Sequence, residues 1–403
     1  MFKNLSLKVI IFGFIFTFFS SFGQSFFLGI FNPSIRNELS ISHGQFGSVY
    51  ASATLLSSFI LIWVGKKIDD INISKFAFFV ILLLAFSSFF FSKISSIPLL
   101  FVAILLMRFS GQGMMSHTAT TTISRYFTKS RGKALSTGWF GLSAAEFILP
   151  VLMIYLLTIT RWQNIWIGIS ITALIFLPLS SYFLVKNLNF DSREKDKDNN
   201  FNENDFKQWR RIEVIKDYRF YIICANMLAM PSIATGTFVY QSFILSSKNW
   251  GPYIIAQSFM SYSIFSIIAL FFSGFLIDKF TSRKILIYMN IPLFFAAIVL
   301  FYFDNSFSSF VFFGLIGITN GLCNVLGSST WAEIYGVKYI GSIKALTTAL
   351  MVFATAFGTA IFGILIDKGF SIEQISLVSA AYIFISIISL FFIRKNLNPI
   401  KIT

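Results

Sequence analysis

Two ionisable residues stand inside long apolar runs and set the terms for any chemistry this chain could perform. Arg108 interrupts IPLLFVAILLMRFSGQGMM, and Glu146 interrupts GLSAAEFILPVLMIYLL. A basic stretch, Arg125-Tyr-Phe-Thr-Lys-Ser-Arg-Gly-Lys133, separates them, and its centre near residue 127 is equally far from both. Read as two helices, residues 98–158 form a membrane hairpin with both groups roughly mid-bilayer, at ~1.5 Å of rise per residue. A charge at that depth costs from about 2.5 to above 10 kcal/mol, so it marks a solute pathway or a mutual pair. Two readings stay open. In one, Arg108 and Glu146 form a structural ion pair, because a buried arginine without a partner is too costly. In the other, Arg108 binds an anionic substrate and Glu146 takes up a coupling proton.

Other polar residues in apolar runs extend the candidate site. Trp139, Ser143, Glu146 and Pro150 share one helical face at a period of 3.6, so Trp139 could shape a substrate cavity. Asn320 and Asn324 align at i, i+4 beside Gly317, and Tyr240 and Gln241 lie in the seventh apolar run. Such a wall suits a small organic solute with hydroxyl, amide or carboxylate groups. The amides serve equally well as helix–helix hydrogen bonds. His117 falls on the face opposite Arg108 at the same period and is assigned to packing at the cytoplasmic end. His43 and His117 belong to opposite sides of the membrane and cannot meet. Cys224 and Cys323 lack metal-ligand spacing and read as core packing. There is no phosphate-binding P-loop. No metal, cofactor or catalytic residue is expected, and the chain does not read as an enzyme.

These residues need a membrane scaffold to position them, and the composition supplies one. Hydrophobic residues make up 56% of the 403 and charged residues 12%, about half the charge of a soluble domain. Apolar runs of about 20 residues recur, which is the length of a membrane-crossing helix. The reading is an all-α membrane protein with twelve transmembrane helices at 8–31, 45–64, 74–92, 98–122, 133–158, 164–185, 218–244, 254–277, 284–303, 307–332, 344–366 and 374–393. The first run has no small-residue cleavage site and reads as a span, not a removable signal. Apart from Arg36, Lys93, Arg161, Lys248 and Lys368 on the far side and Arg108 in mid-span, every Lys and Arg falls on the side of the two termini. The positive-inside rule then puts both termini in the cytoplasm. The net charge of +15 is a topology signal and implies no nucleic acid. Short loops fit a bacterial cytoplasmic membrane.

One long polar segment, 186–217, divides six spans (1–185) from six (218–403). Its first half has the composition of a flexible linker. In its second half Phe206, Trp209, Ile212 and Ile215 share a helical face, which suits an amphipathic helix at the interface with Trp209 at headgroup level. Across the divide, Gly65-Lys-Lys-Ile-Asp69 matches Gly274-Phe-Leu-Ile-Asp278, and Lys133-Ala-Leu135 matches Lys344-Ala-Leu346, at nearly one offset. The pattern reads as two pseudo-symmetric six-helix bundles, a duplication that puts a substrate site near the bilayer midplane. Spans ten and eleven, the counterparts of the Arg108–Glu146 hairpin, carry neither charge in their interior.

Several of these motifs resemble a known family. Gly65-x-x-x-Asp69 and Gly274-x-x-x-Asp278-Lys279-x-x-x-Arg283-Lys284 are similar to the signature loop of the major facilitator superfamily. Arg108-Phe-Ser-Gly111-Gln-Gly113 is similar to its fourth-helix Arg-x-x-x-Gly-x-Gly motif. Residues 108–162, with Arg125-Tyr-Phe, Arg131-Gly-Lys-Ala-Leu, Gly138-Trp-Phe-Gly, Pro150 and Arg161-Trp162, resemble the oxalate/formate antiporter and monocarboxylate transporter branch. The resemblance implies the major facilitator fold and a secondary transporter working by alternating access, monomeric in the bilayer. It implies a small organic anion as substrate, a monocarboxylate for preference, with proton coupling or exchange. It also implies that Gly65, Asp69, Gly274, Asp278 and Arg283 form a conformational gate. There glycine lets helices approach and the aspartate pairs with a cation or a helix N-terminus. The first copy departs from the pattern, with Asp70 at the usual basic position and Asn72 at the usual glycine. The alternative within transport is a drug or metabolite exporter. A non-transporting membrane sensor is the remote one.

Overall fold

A backbone inside hydrocarbon must satisfy its own hydrogen bonds, which leaves an apolar run of this length little choice but helix. The computed structural model describes residues 2–68, 70–127, 131–185, 207–336 and 338–399, and every regular element among them is helical. Twelve helical segments are long and apolar enough to cross a membrane. They are Ser6–Leu39, His43–Val64, Ile73–Phe91, Ile97–Tyr126, Ala134–Ile159, Trp162–Leu184, Tyr218–Val239, Ile254–Ile277, Ser282–Tyr302, Ser306–Tyr335, Ile343–Asp367 and Ile372–Leu397, numbered below as spans one to twelve. The chain is a multi-pass membrane protein. Its helix starts follow local chemistry. Ser42 with Gln45 and Ser371 with Gln374 form capping boxes before spans two and twelve. Asn72 and Asn305 accept backbone N–H groups before spans three and ten, and each such cap contributes about 1 kcal/mol.

The chain divides into two compact units, Met1–Asn199 with Phe238–Ser242, and Asn200–Thr237 with Phe243–Thr403. In the first unit, span one packs along spans five and four, span two against span four, and span three against span six. Trp166 of span six anchors its core, with the rings of Phe91, Phe31 and Phe27 centred 4.2, 5.2 and 5.5 Å away. Span one does not end near residue 31 as its hydropathy predicts. It continues to Leu39 because its polar turn is served internally: Asn32 Nδ2 donates to the Val239 carbonyl at 2.7 Å, and Arg36 Nε to Asn32 Oδ1 at 2.8 Å. It is also broken, by a tight turn at Ser21–Gly23 followed by extended Gln24. Span four carries a π-helical stretch, Arg108–Met115, so positions counted at 3.6 residues per turn lose register across it.

In the second unit span eight packs along span ten, span nine against spans ten and twelve, and span seven against span twelve. The predicted interfacial helix is shorter than expected, Arg211–Lys216, and Phe206 lies outside the described residues. Trp209 does not lie on an exposed apolar face. It is buried, with its ring edge-on to Tyr335 at 5.4 Å and its backbone N–H donating to the Tyr335 carbonyl at 3.0 Å. Together with Val214 it fills a cluster containing Phe220, Trp331 and Tyr335. Burying the whole indole there gains more than resting it at an interface.

Candidate functional site

The end of the helix Ile97–Met107 delivers Arg108 to the point where spans one, two and four converge in the first unit. Close approach makes that junction possible. A Cβ on Gly111 would lie 2.8 Å from the Cα of Gly23, and one on Gly23 would meet the Met107 carbonyl and the Gln112 amide. With two hydrogens in place of side chains, the main chains touch and the arginine reaches across. Its Nη1 donates to the Gly23 carbonyl at 3.1 Å, and its guanidinium carbon lies 5.4 Å from the centre of the Tyr50 ring. Arg108 is 3% exposed, and its Nε has no acceptor. Four buried hydroxyls on the same three spans, Ser21, Tyr50, Thr54 and Ser110, likewise have no hydrogen-bond partner among the described residues.

Glu146 is 7% exposed on span five. No salt bridge joins it to Arg108, and among the described residues it has neither a hydrogen bond nor an ion pair. Trp139, two turns earlier on the same helix, is partly exposed.

The second-unit candidates separate. Asn320 Nδ2 donates to Ser266 Oγ at 2.9 Å, fastening span ten to span eight, while Asn324 is exposed. Tyr240 and Gln241 belong by their contacts with the first unit. The Tyr240 hydroxyl donates to the His43 carbonyl at 2.8 Å, and Gln241 Nε2 to the Phe26 and Phe238 carbonyls at 2.9 and 3.0 Å. Both side chains are buried.

Gly65 is buried beside His117, whose Nε2 lies 3.1 Å from the Gly65 carbonyl, and Arg125 holds the Ile68 carbonyl at 3.0 Å. His117 therefore packs against the end of span two from within span four, and the π-helical stretch invalidates the face assigned to it. Asp69 and the side chain of Asp278 lie outside the described residues. Gly274 does not mediate a close approach, since a Cβ there would meet nothing within 4 Å. Arg283 contributes its backbone: its N–H and that of Ser282 donate to Glu333 at 3.2 and 2.8 Å.

Sequence reasoning missed Tyr50 and Glu333. A tyrosine in an apolar helix gives no periodic signal, and Glu333 lies just past the predicted end of span ten. Among the described residues no group of His, Cys, Asp and Glu gathers as metal ligands. The arrangement can hold an anion at a buried, incompletely satisfied guanidinium and exchange a proton at an isolated carboxyl group.

Comparison with solved structures places the fold among membrane transporters. The chain is similar to a bacterial homologue of the human lysosomal transporter Spinster in an inward-facing, occupied conformation, with a TM-score of 0.72 and 12% identity over 98% of this chain and 97% of that one. It is also similar to the nucleoside transporter NupG, with a TM-score of 0.73 and 14% identity over 97% and 99%. No curated protein matches it in sequence. The family model described as Major Facilitator Superfamily matches residues 13–359 and 233–401. With that match spanning most of its length, and with twelve spans in an all-helical fold, the chain belongs to the major facilitator superfamily.

Proposed function

We propose that this transporter carries a small organic anion, a monocarboxylate for preference, by alternating access, with Arg108 as the anion-binding group and Glu146 as the proton carrier. The observation that carries the reading is that Arg108 has no carboxylate among the described residues. A guanidinium buried in a membrane-spanning helix is normally matched by one, and the contacts seen here are a carbonyl and an aromatic ring. A substrate carboxylate would supply the missing charge and occupy donors on Arg108, with the Tyr50 hydroxyl within the same shell of spans. Glu146, without a cation beside it, gains or loses a proton as water reaches it, which would tie carriage of an anion to uptake of a proton. Trp139 and Asn324, both exposed, would line the substrate route. The basic loops support a cytoplasmic placement of both termini in a bacterial inner membrane, and the protein would act as a monomer.

Uptake of labelled monocarboxylates into proteoliposomes tests this. Wild-type uptake should rise with an inward proton gradient, Glu146→Gln should transport without responding to the gradient, and Arg108→Gln should lose saturable uptake. Gradient-dependent uptake in Glu146→Gln would remove the proton role.

A second reading takes Arg108's existing contacts as its whole task, fastening span four to span one. The exposed Trp139 and Asn324 would then serve an amphipathic, uncharged drug or metabolite moving outward. Saturable transport of such a solute by Arg108→Lys, with no anion uptake in the parent, would favour it.

A further inference from the structure

The short helix Arg211–Lys216 has two faces of opposite fate. Val214, with Trp209 just before it, is buried in the second unit, whereas Ile212 is 70% exposed and Ile215 is exposed beside it one turn on. The helix is rigidly held. The Tyr221 hydroxyl donates to the Ile215 carbonyl at 2.8 Å, and the backbone N–H of Arg210 donates to Glu213 at 2.8 Å. Tyr221 is itself an exposed residue of span seven, so the apolar surface of Ile215 continues into the flank that this span presents to the bilayer.

Among the described residues the charges around this face are unbalanced. Glu213 pairs with Lys207 at 2.9 Å, and Asp217 pairs with Arg219 at 2.8 Å, so both carboxylates are neutralised internally. Arg210, Arg211 and Lys216 are exposed, and Arg211 and Lys216 make no ion pair among the described residues. An apolar ridge flanked by uncompensated cations, at the mouth of a membrane-crossing helix, complements the headgroup layer of an anionic membrane.

We propose that Arg211–Lys216 is a seat for anionic phospholipids in the leaflet where span seven begins: Ile212 and Ile215 enter the headgroup–acyl boundary, and Arg211 and Lys216 hold the phosphates. Charge complementarity and continuity with the lipid-facing flank of span seven select lipid over a protein partner.

The test places a nitroxide spin label at Ile212→Cys, with Cys224→Ala and Cys323→Ala removing the native thiols, in the full-length protein reconstituted in phosphatidylcholine vesicles with or without phosphatidylglycerol. Accessibility to oxygen and to a water-soluble nickel chelate reports depth. With phosphatidylglycerol the label should favour oxygen. Titrating that lipid in Arg211→Gln/Lys216→Gln should require roughly 30-fold more of it for the same shift, as expected for two surface cations of about 1 kcal/mol each. Added inorganic phosphate should change nothing. Both charge variants lie on the exposed surface, and an unchanged elution profile together with an unshifted label at a buried control, Val214→Cys, verifies folding. A label that stays open to nickel with or without phosphatidylglycerol overturns the proposal. So does one immersed equally in both lipids, or one shielded from both reagents as under a protein partner.

Discussion

The buried cations of the two units are treated differently, and the difference separates structure from function. In the second unit, Arg219 is held by Asp217 at 2.8 Å, and Lys248 by Asp304 and Glu373 at 2.6 and 2.8 Å. Arg219 also donates to the Asn396 carbonyl, tying the entry of span seven to the chain's C-terminal end, and Lys248 ties its own turn to the loop at Asp304 and to the first turn of span twelve. Each has a matching charge and a mechanical task. Arg108 of the first unit is as deeply buried and joins span four to span one through the Gly23 carbonyl, but among the described residues it has no matching charge. Two of the three buried cations thus carry a countercharge from the chain, and it is the absence of one beside Arg108 among the described residues that motivates the proposal of a solute carboxylate there.

The strongest way to break this contrast is to delete each cation and compare the damage. Arg219→Met leaves the buried Asp217 alone and should cost about 3–5 kcal/mol, read as a fall in thermal stability of the purified protein. Asp217→Asn in the same chain should recover part of that loss. Arg108→Met strands no carboxylate, so stability should hold or rise while anion affinity falls by roughly 10- to 150-fold, the worth of about 1.5–3 kcal/mol for hydrogen bonds to a charged group. A comparable loss of stability at Arg108 would make it a structural residue like the other two. Asn320→Leu, which removes the amide bridge to Ser266, should cost only about 0.6 kcal/mol and leave the substrate profile intact. An altered profile would return Asn320 to the binding site. The smallest effect belongs to Glu213. The Arg210 backbone N–H, and after it Lys207, hold its carboxyl below the usual range. Its contribution is therefore complete above the unfolded value of about 4.3 and is lost as pH falls through the lower folded value. Acidification should fray Arg211–Lys216, measured by amide exchange, at a lower pH than for an unpaired glutamate.

Much of the scaffold was legible because hydropathy reports the bilayer directly: all twelve runs are helices, and most ends lie within a few residues of those expected. The exceptions share a cause. Asn32 and Arg36 read as loop residues, yet a carbonyl and a neighbouring side chain satisfy them and the helix runs on. Trp209 reads as interfacial, yet a pocket of aromatic rings claims it. Tertiary contacts decide such residues, and local sequence does not record them. In the candidate site the charges were conspicuous and their partners silent. A backbone carbonyl such as that of Gly23 has no letter of its own, and the π-helical stretch defeats any face counted at 3.6 residues per turn.

The contact between Gly23 and Gly111 has a mechanical consequence. Side chains between helices act as a cushion, since rotamers can shift to absorb a small displacement. Here main chain rests on main chain, and a shift of a few tenths of an ångström meets the repulsive wall. Spans one and four are thus stiff against each other at the level of Arg108. Any working stroke must carry that part of both helices as a single lever, with compliance placed elsewhere, at joints such as the extended Gln24.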